Sequence, residues 1–166
     1  MRKHLFVRAL ACVLSVSLLS TTAFAAPIAF DQESHVDADG SLLGHKNEGS
    51  EDLTYDYYLD SDVELDKTLV IKDGVDASIN LNGHELSGNG ESSVIKVTGE
   101  DTSLTLSDEK VPSTEDTDTE AEADGDDVQT DETGKITGGG GKAGGGIYVD
   151  DNANVTMNGG EISGNK

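Results

Sequence analysis

A period of about 25 residues predicts an all-β fold in which the chain winds into a parallel β-helix of about three coils. Three observations carry this reading. Short apolar runs alternate with polar residues at a spacing of two. Nearly the same text recurs at residues 78–88 (SINLNGHELSG) and 154–164 (NVTMNGGEISG), with a third copy divided between residues 103–108 and 134–139. No window of comparable quality has helical spacing.

The amino terminus reads as an export signal over residues 1–25. Arg2, Lys3 and Arg8 flank the start of an apolar run that extends to Leu19, and Ala23-Phe24-Ala25 forms an A-x-A cleavage signature. The expected mature start is Ala26. The apolar run is short for a membrane span, so no membrane insertion is expected after cleavage. Cys12, the only cysteine, is lost with the signal, and the mature chain can form no internal disulfide.

Residues 26–52 are polar, punctuated by Asp-Gly, Leu-Gly and Glu-Gly, and read as a flexible lead or amino-terminal cap. Residues 53–166 read as the coils. Tyr55, Tyr57 and Leu59 alternate with Asp56, Tyr58 and Asp60; Val63 and Leu65 alternate with Asp62, Glu64 and Asp66. The pairs Leu69 and Ile71, Ile79 and Leu81, and Ile95 and Val97 continue the pattern. Residues 109–133 interrupt it with eleven acidic residues against Lys110, and are expected to form a disordered acidic loop.

The spacing of the copies makes the coil argument. Leu81 and Leu106 lie 25 positions apart, and Leu106 to Met157 is 51, or 26 once the 25-residue insert is removed. Leu86 to Ile136 is 25 after the same removal, and Ile136 to Ile162 is 26. Val97 to Val149 becomes 27. The expected inward rows are Leu81 on Leu106 on Met157, and Leu86 on Ile136 on Ile162. Asn82-Gly83 and Asn158-Gly159 then occupy corners that favour left-handed backbone. The insert leaves from the equivalent corner, Ser107-Asp108, because a corner lets extra residues project outward.

The decapeptide Ile79-Asn80-Leu81-Asn82-Gly83-His84-Glu85-Leu86-Ser87-Gly88 resembles repeats of right-handed parallel β-helix proteins. Gly145-Gly146-Ile147-Tyr148-Val149 and the text from Val155 to Asn165 are similar to repeats of large adhesin-like surface proteins of bacteria. The resemblance covers residues 55–166 apart from the insert, and it rests on strand and corner positions. It implies a right-handed coil and a place on the cell surface. The same coil also carries pectate lyases and other polysaccharide-active enzymes, so fold alone does not select a function.

Charge and motifs narrow the classes. The formal charge is −22, and loss of Arg2, Lys3 and Arg8 takes it to −25, which repels nucleic acid and anionic membranes. The acidic text of residues 114–127 has Asp116, Asp118 and Glu120 at calcium-loop offsets, but Ala121 stands where the turn needs glycine. That leaves weak, diffuse calcium binding and no cofactor. Asp150-Asp151-Asn152 at a strand end reads as turn chemistry rather than as a calcium pair, since the earlier Thr98-Gly99-Glu100-Asp101 does not repeat it. The run of residues 138–146 fails as a phosphate loop, with Ile136 at its first glycine and Ala143 in place of the hydroxyl, and reads as a flexible outward loop. His84 and Glu85 are expected on opposite faces. The four tyrosines make a thin sugar-binding groove, and no arginine survives the signal.

No catalytic, cofactor or metal residue is assigned. The expectation is a secreted or cell-surface β-helix, adhesin-like or structural, without catalytic activity of its own, that meets host or cell-surface glycans or proteins. A carbohydrate-active or carbohydrate-binding β-helix is the alternative. The last coil, which stops at Asn165-Lys166 in mid-repeat, is expected to meet further chain or a partner.

Overall fold

The computed structural model describes residues 26–47, 51–111 and 132–166. The export-signal reading of residues 1–25 and most of the acidic insert, residues 112–131, lie outside the described residues. Among the described residues the chain is built almost wholly from short strands: β1 (Ile28–Ala29), then a single helical turn α1 (Gln32–His35), β2 (His45–Lys46), β3 (Leu53–Thr54), β4 (Asp56–Tyr58), β5 (Val63–Glu64), β6 (Leu69–Ile71), β7 (Asp76–Asn80), β8 (Glu85–Ser87), β9 (Ile95–Thr98), β10 (Ser103–Ser107), β11 (Lys135–Thr137), β12 (Ile147–Asp150), β13 (Asn154–Met157) and β14 (Glu161–Ile162). The fold is all-β.

From β4 onward, consecutive strands go to three different sheets and every third strand returns to the same one. The sheets run β1-β4-β7-β10-β13, β5-β8-β11-β14 and β6-β9-β12. Every neighbouring pair within them is parallel. Among the named strands only β2 and β3 pair antiparallel, as a separate ribbon, and Val36 and Leu42 form an isolated antiparallel bridge. Because the side-chain period of a strand is two, this parallel register sets equivalent residues directly over one another, apolar rows inward. Leu86, Ile136 and Ile162 form one such row, as the spacing requires. Val97 and Val149 share another, with Ile71 beneath them.

The row through Leu106 differs from the sequence expectation. Tyr57, Ile79, Leu106 and Met157 stand in register, so Ile79 rather than Leu81 lies beneath Leu106. Matching the Asn-Gly pairs shifts the alignment by two residues, and a slip of two keeps every side chain on its own face. The backbone resolves it through corner length. Ile79 to Leu86 takes seven residues, whereas Met157 to Ile162 takes five. The longer corner holds the left-handed pair Asn82 (φ 51°) and Gly83 (φ 82°); in the shorter one Gly160 (φ 82°) takes that role, not Asn158-Gly159. Leu81 therefore belongs to a corner column of its own, which continues the register from Leu59 to Leu81 to Asp108 to Gly159.

Polar though it is, the lead contributes to the core. Phe30 and Leu42 are buried in the same apolar cluster as Tyr57, Ile79 and Leu106. β1 covers the edge of β4, and the Phe30 amide donates to the Tyr58 carbonyl at 2.8 Å. On the third sheet Leu42 donates to Val70 and Val70 to Gly40, each at 2.8 Å, so residues 40–42 serve as the strand before β6. Gln32 closes the remaining corner, accepting from the Asp66 amide at 2.9 Å.

The far layer is open among the described residues. Met157 is 39 % exposed, yet Leu106 directly beneath it is fully buried. Ile162 and Val149 are exposed in the same way over buried Ile136 and Val97. The energetics should follow this gradient. Leu106→Ala removes a side chain packed on both sides and should cost about 2–5 kcal/mol, whereas Met157→Ala, already half in water, should cost under about 1 kcal/mol. Urea denaturation midpoints of the two variants check the contrast; equal losses would mean that the layers are not stacked in this order.

Candidate functional site

The strongest concentration of polar contacts lies at the corner from which the insert departs. Asp108 occupies the position held by Leu59 and Leu81 in the layers below, and its carboxylate is turned to backbone work. Oδ1 accepts from the Gly83 amide at 2.7 Å and Oδ2 from the Gly134 amide at 2.8 Å. One carboxylate thereby joins the preceding corner, the start of the insert and its end. Amide donors to a carboxylate make stronger bonds than neutral pairs. The layer above carries Gly159 and Gly160, and any side chain there would press on Asp108 or Leu81.

Two asparagines secure the same root. Asn80 Oδ1 accepts from the Glu109 amide at 2.9 Å, and its Nδ2 donates to the Glu109 carbonyl at 2.7 Å. Asn82 Oδ1 accepts from the Val111 amide at 2.9 Å, while its Nδ2 donates to the Leu59 carbonyl at 2.8 Å. Residues 108–111 are thus paired like a strand, but with side chains of the layer below. Sequence reading assigned Asn82 only to left-handed backbone and Asp108 only to a corner. The available signal was the Asn-x-Asn spacing one layer before an insertion.

Beside this root, the outer face of the second sheet forms an open hollow of about 330 Å³ lined by Asp62, His84, Glu85, Glu132, Lys135 and Glu161. Glu85, Lys135 and Glu161 stand in register. Lys135 Nζ lies 2.9 Å from Glu85 Oε2, and that bond, with the charges of Glu85, Asp62 and Glu161, raises the ammonium above its usual range. His84 Nδ1 lies 3.6 Å from Asp62 Oδ1. His84 and Glu85 therefore face the same hollow, not opposite faces as expected. His84 precedes the strand, in the corner, where alternation does not apply.

On the third sheet, Lys96 and Tyr148 stand in register, with Lys96 Nζ 5.5 Å from the Tyr148 ring centre and 3.5 Å from Asp150 Oδ2. A hydrogen bond to Asp150 and its charge raise the Tyr148 phenol above its usual range. The Thr98 hydroxyl beside it, then the Tyr148 hydroxyl and the Lys96 charge, hold Asp150 below the usual carboxylate range. Asp151 and Asn152 are left-handed, with φ of 51° and 64°, and Asp151 accepts from the Thr98 hydroxyl at 3.0 Å. Turn geometry accounts for these residues.

The glycine run of residues 138–146 is a loop with an exposed turn at Lys142 and Ala143, but its glycines on either side are packed against neighbouring backbone. A side chain on Gly140 would collide with the Gly90 carbonyl, and one on Gly139 with the Gly145 carbonyl. Gly145 and Gly146 accept from the Val94 and Ile95 amides at 3.1 and 3.0 Å. At Gly139, Gly140, Gly145 and Gly146 the backbone approaches its neighbours more closely than a side chain would permit. Of the early tyrosines, Tyr57 is buried and unavailable to a ligand. Residues 114–127, read for calcium, lie outside the described residues. Among the described residues no group of three or more His, Cys, Asp or Glu is arranged to hold a metal ion, and no helix is long and apolar enough to cross a membrane.

No family model, curated protein or solved structure matches this chain. The Asp108 geometry has a direct test. Asp108→Ala leaves two amides without their acceptor and should cost about 1–3 kcal/mol; Asp108→Asn, with one carbonyl oxygen, should lose less. Denaturant midpoints, with hydrogen exchange at Gly83 and Gly134, measure both. Unchanged exchange at Gly134 in the alanine variant would remove the clamp.

Proposed function

We propose that this chain is a right-handed parallel β-helix, exported through the signal in residues 1–25, that serves as an adhesin-like or structural module of the bacterial surface without catalytic activity of its own. The observation that carries the reading is the rotation of strands among three parallel sheets, with a long acidic insert passed out through one corner while the strand register continues beyond it. Parallel crossovers within one sheet are right-handed in nearly all proteins, which supports the hand. Solenoids of this kind supply broad, stiff surfaces rather than deep pockets.

The mechanism is presentation. Stacked layers fix the corners, and Asp108, Asn80 and Asn82 hold residues 108–111 and 134, the two sides of the acidic segment, on that frame. The net charge of −22 directs it toward basic or neutral polar partners, surface glycans or proteins, and away from nucleic acid and anionic lipid. Calcium would screen the insert weakly, without a built site.

Two measurements test this. Mass spectrometry of the protein released by the producing cells should place its amino terminus at Ala26; an intact Met1 in the medium would defeat the export reading. Purified protein should be retained on immobilised surface glycoprotein, and deletion of residues 112–131 should weaken retention severalfold without moving the denaturation midpoint. Equal retention of the deletion variant would take the insert out of the function.

A carbohydrate-active or carbohydrate-binding β-helix is the second reading, favoured by the Lys96, Tyr148 and Asp150 group, where an aromatic ring sits beside both signs of charge. Incubation with polygalacturonate and with a neutral glucan should release no new reducing ends or unsaturated products. Release that is lost in Tyr148→Ala would replace the first reading with this one.

A further inference from the structure

We propose that His35 and His45 form an acid-sensitive latch that holds the amino-terminal lead on the first layer of strands and releases it when His35 takes up a proton. The two imidazoles pack on one ring. His35 lies 4.9 Å from the centre of buried Tyr57 and 6.1 Å from Phe30, and His45 lies 5.2 Å from Tyr57. Phe30 meets Tyr57 edge-on at 5.7 Å, and the Tyr57 hydroxyl donates to the Leu43 carbonyl. These contacts join β1, α1 and β2 of the lead to β4.

The protonation state follows from hydrogen bonding. The Asp31 amide donates to His35 Nδ1 at 3.0 Å, so that nitrogen carries a lone pair and the ring is neutral. Asp31 is also the cap of α1, its carboxylate accepting from the Glu33 amide at 3.1 Å and the Ser34 hydroxyl at 2.6 Å. His35 thus satisfies the one amide that the cap itself presents, as in a capping box. Protonation turns the acceptor into a donor that faces a donor. It also places a cation among Phe30, Tyr57 and the second imidazole. His45 Nε2 donates to the Asp56 carbonyl at 3.1 Å, so its ring is held by main chain and His35 is the trigger.

The packed elements bring their own titratable groups to the two imidazoles. α1 and its cap bring Asp31 and Glu33; β2 brings His45 and Lys46; β4 and the residue before it bring Tyr55, Asp56, Tyr57 and Tyr58; β1 and β3 bring none, with Glu51 and Asp52 preceding β3. Burial is the largest influence on His35 and lowers its proton affinity; Asp31 opposes this and His45 adds to it. The closed lead therefore binds a proton more weakly than the open one. Its stability is complete above the ordinary histidine value of about 6.5 and is lost as pH falls from there through the lower value of the closed state. Opening would uncover the edges of β4 and β6 that β1 and residues 40–42 now occupy, and turn a closed end into one open to strand addition.

Hydrogen exchange of the full protein at pH 7.5 and 5.0, corrected for intrinsic rates, reads the latch. Protection over residues 28–46 should fall severalfold at the lower pH while β7 and β10 hold theirs. His35→Asn keeps an acceptor near the Nδ1 position and cannot be charged, and should show the same protection at both values. No change in the wild-type lead, a fall shared by β7 and β10, or an equal fall in the asparagine variant would each overturn the proposal. Asparagine lacks the ring that packs on Tyr57, so a direct titration of His35 by nuclear magnetic resonance keeps the test independent of that variant. The expected midpoint is below 6.5, with Nδ1 unprotonated at neutral pH; a midpoint at or above 6.5 reverses the sign of the coupling and removes the latch.

Discussion

Parallel in-register stacking is the constraint on which everything else in this protein rests. Each strand is too short to stand alone: β5 and β14 have two residues and β8 three. None could bury a side chain or satisfy its amides without the strands one layer away. Stacking solves both problems together. The ladder bonds run between layers, and the inward apolar residue of one layer becomes the floor for the next. Leu104 over Ala77 and Leu106 over Ile79 are buried for that reason, not because any single layer encloses them.

The same constraint decides how ends and interruptions are handled. A layer that must shed a long insert would leave its amides unpaired, and Asn80, Asn82 and Asp108 supply the missing partners from side chains. At the amino-terminal end the lead does the equivalent with main chain, through β1 on one sheet and residues 40–42 on another. In both places polar sequence performs a core function. Composition alone hides this, because a polar stretch that pairs with a strand edge reads like one that pairs with water.

Much of the fold was legible from periodicity, since the rows through Leu86, Ile136 and Ile162 and through Val97 and Val149 need only a shared spacing. The Leu81 row was misplaced by two residues because identical Asn-Gly text marks corners of different length, and text carries no length beyond itself. Corner geometry also defeated the reading of His84 and Glu85, where an alternation rule was applied to a residue outside a strand. The glycine run of residues 138–146 is a loop as read, but the packing of its glycines was not legible, because glycine serves close backbone approach as readily as freedom. The clamp at Asp108 was less legible than any of these. It depends on which layer lies beneath, and that follows only once the register is fixed.

Stacking also explains where the acidity can go. Equivalent residues in adjacent layers sit roughly 4.8 Å apart, so a ladder of like charges on an outer face would repel at every step. Within the strands the outward columns largely avoid this, although Asp62, just before β5, lies one register step below Glu85. Asp56 is followed by Ser78, Thr105 and Thr156, and Glu64 by Ser87 and Thr137, one carboxylate and then hydroxyls. Where a column does repeat carboxylates, Lys135 separates Glu85 from Glu161. A chain of net charge −22 can therefore keep neutral strand ladders only by moving its carboxylates to corners and to residues 109–133, where eleven of them lie in sequence. The placement of the acidic run in the sequence is in this sense a consequence of the fold: stacking leaves charge to the corners and to the residues between strands.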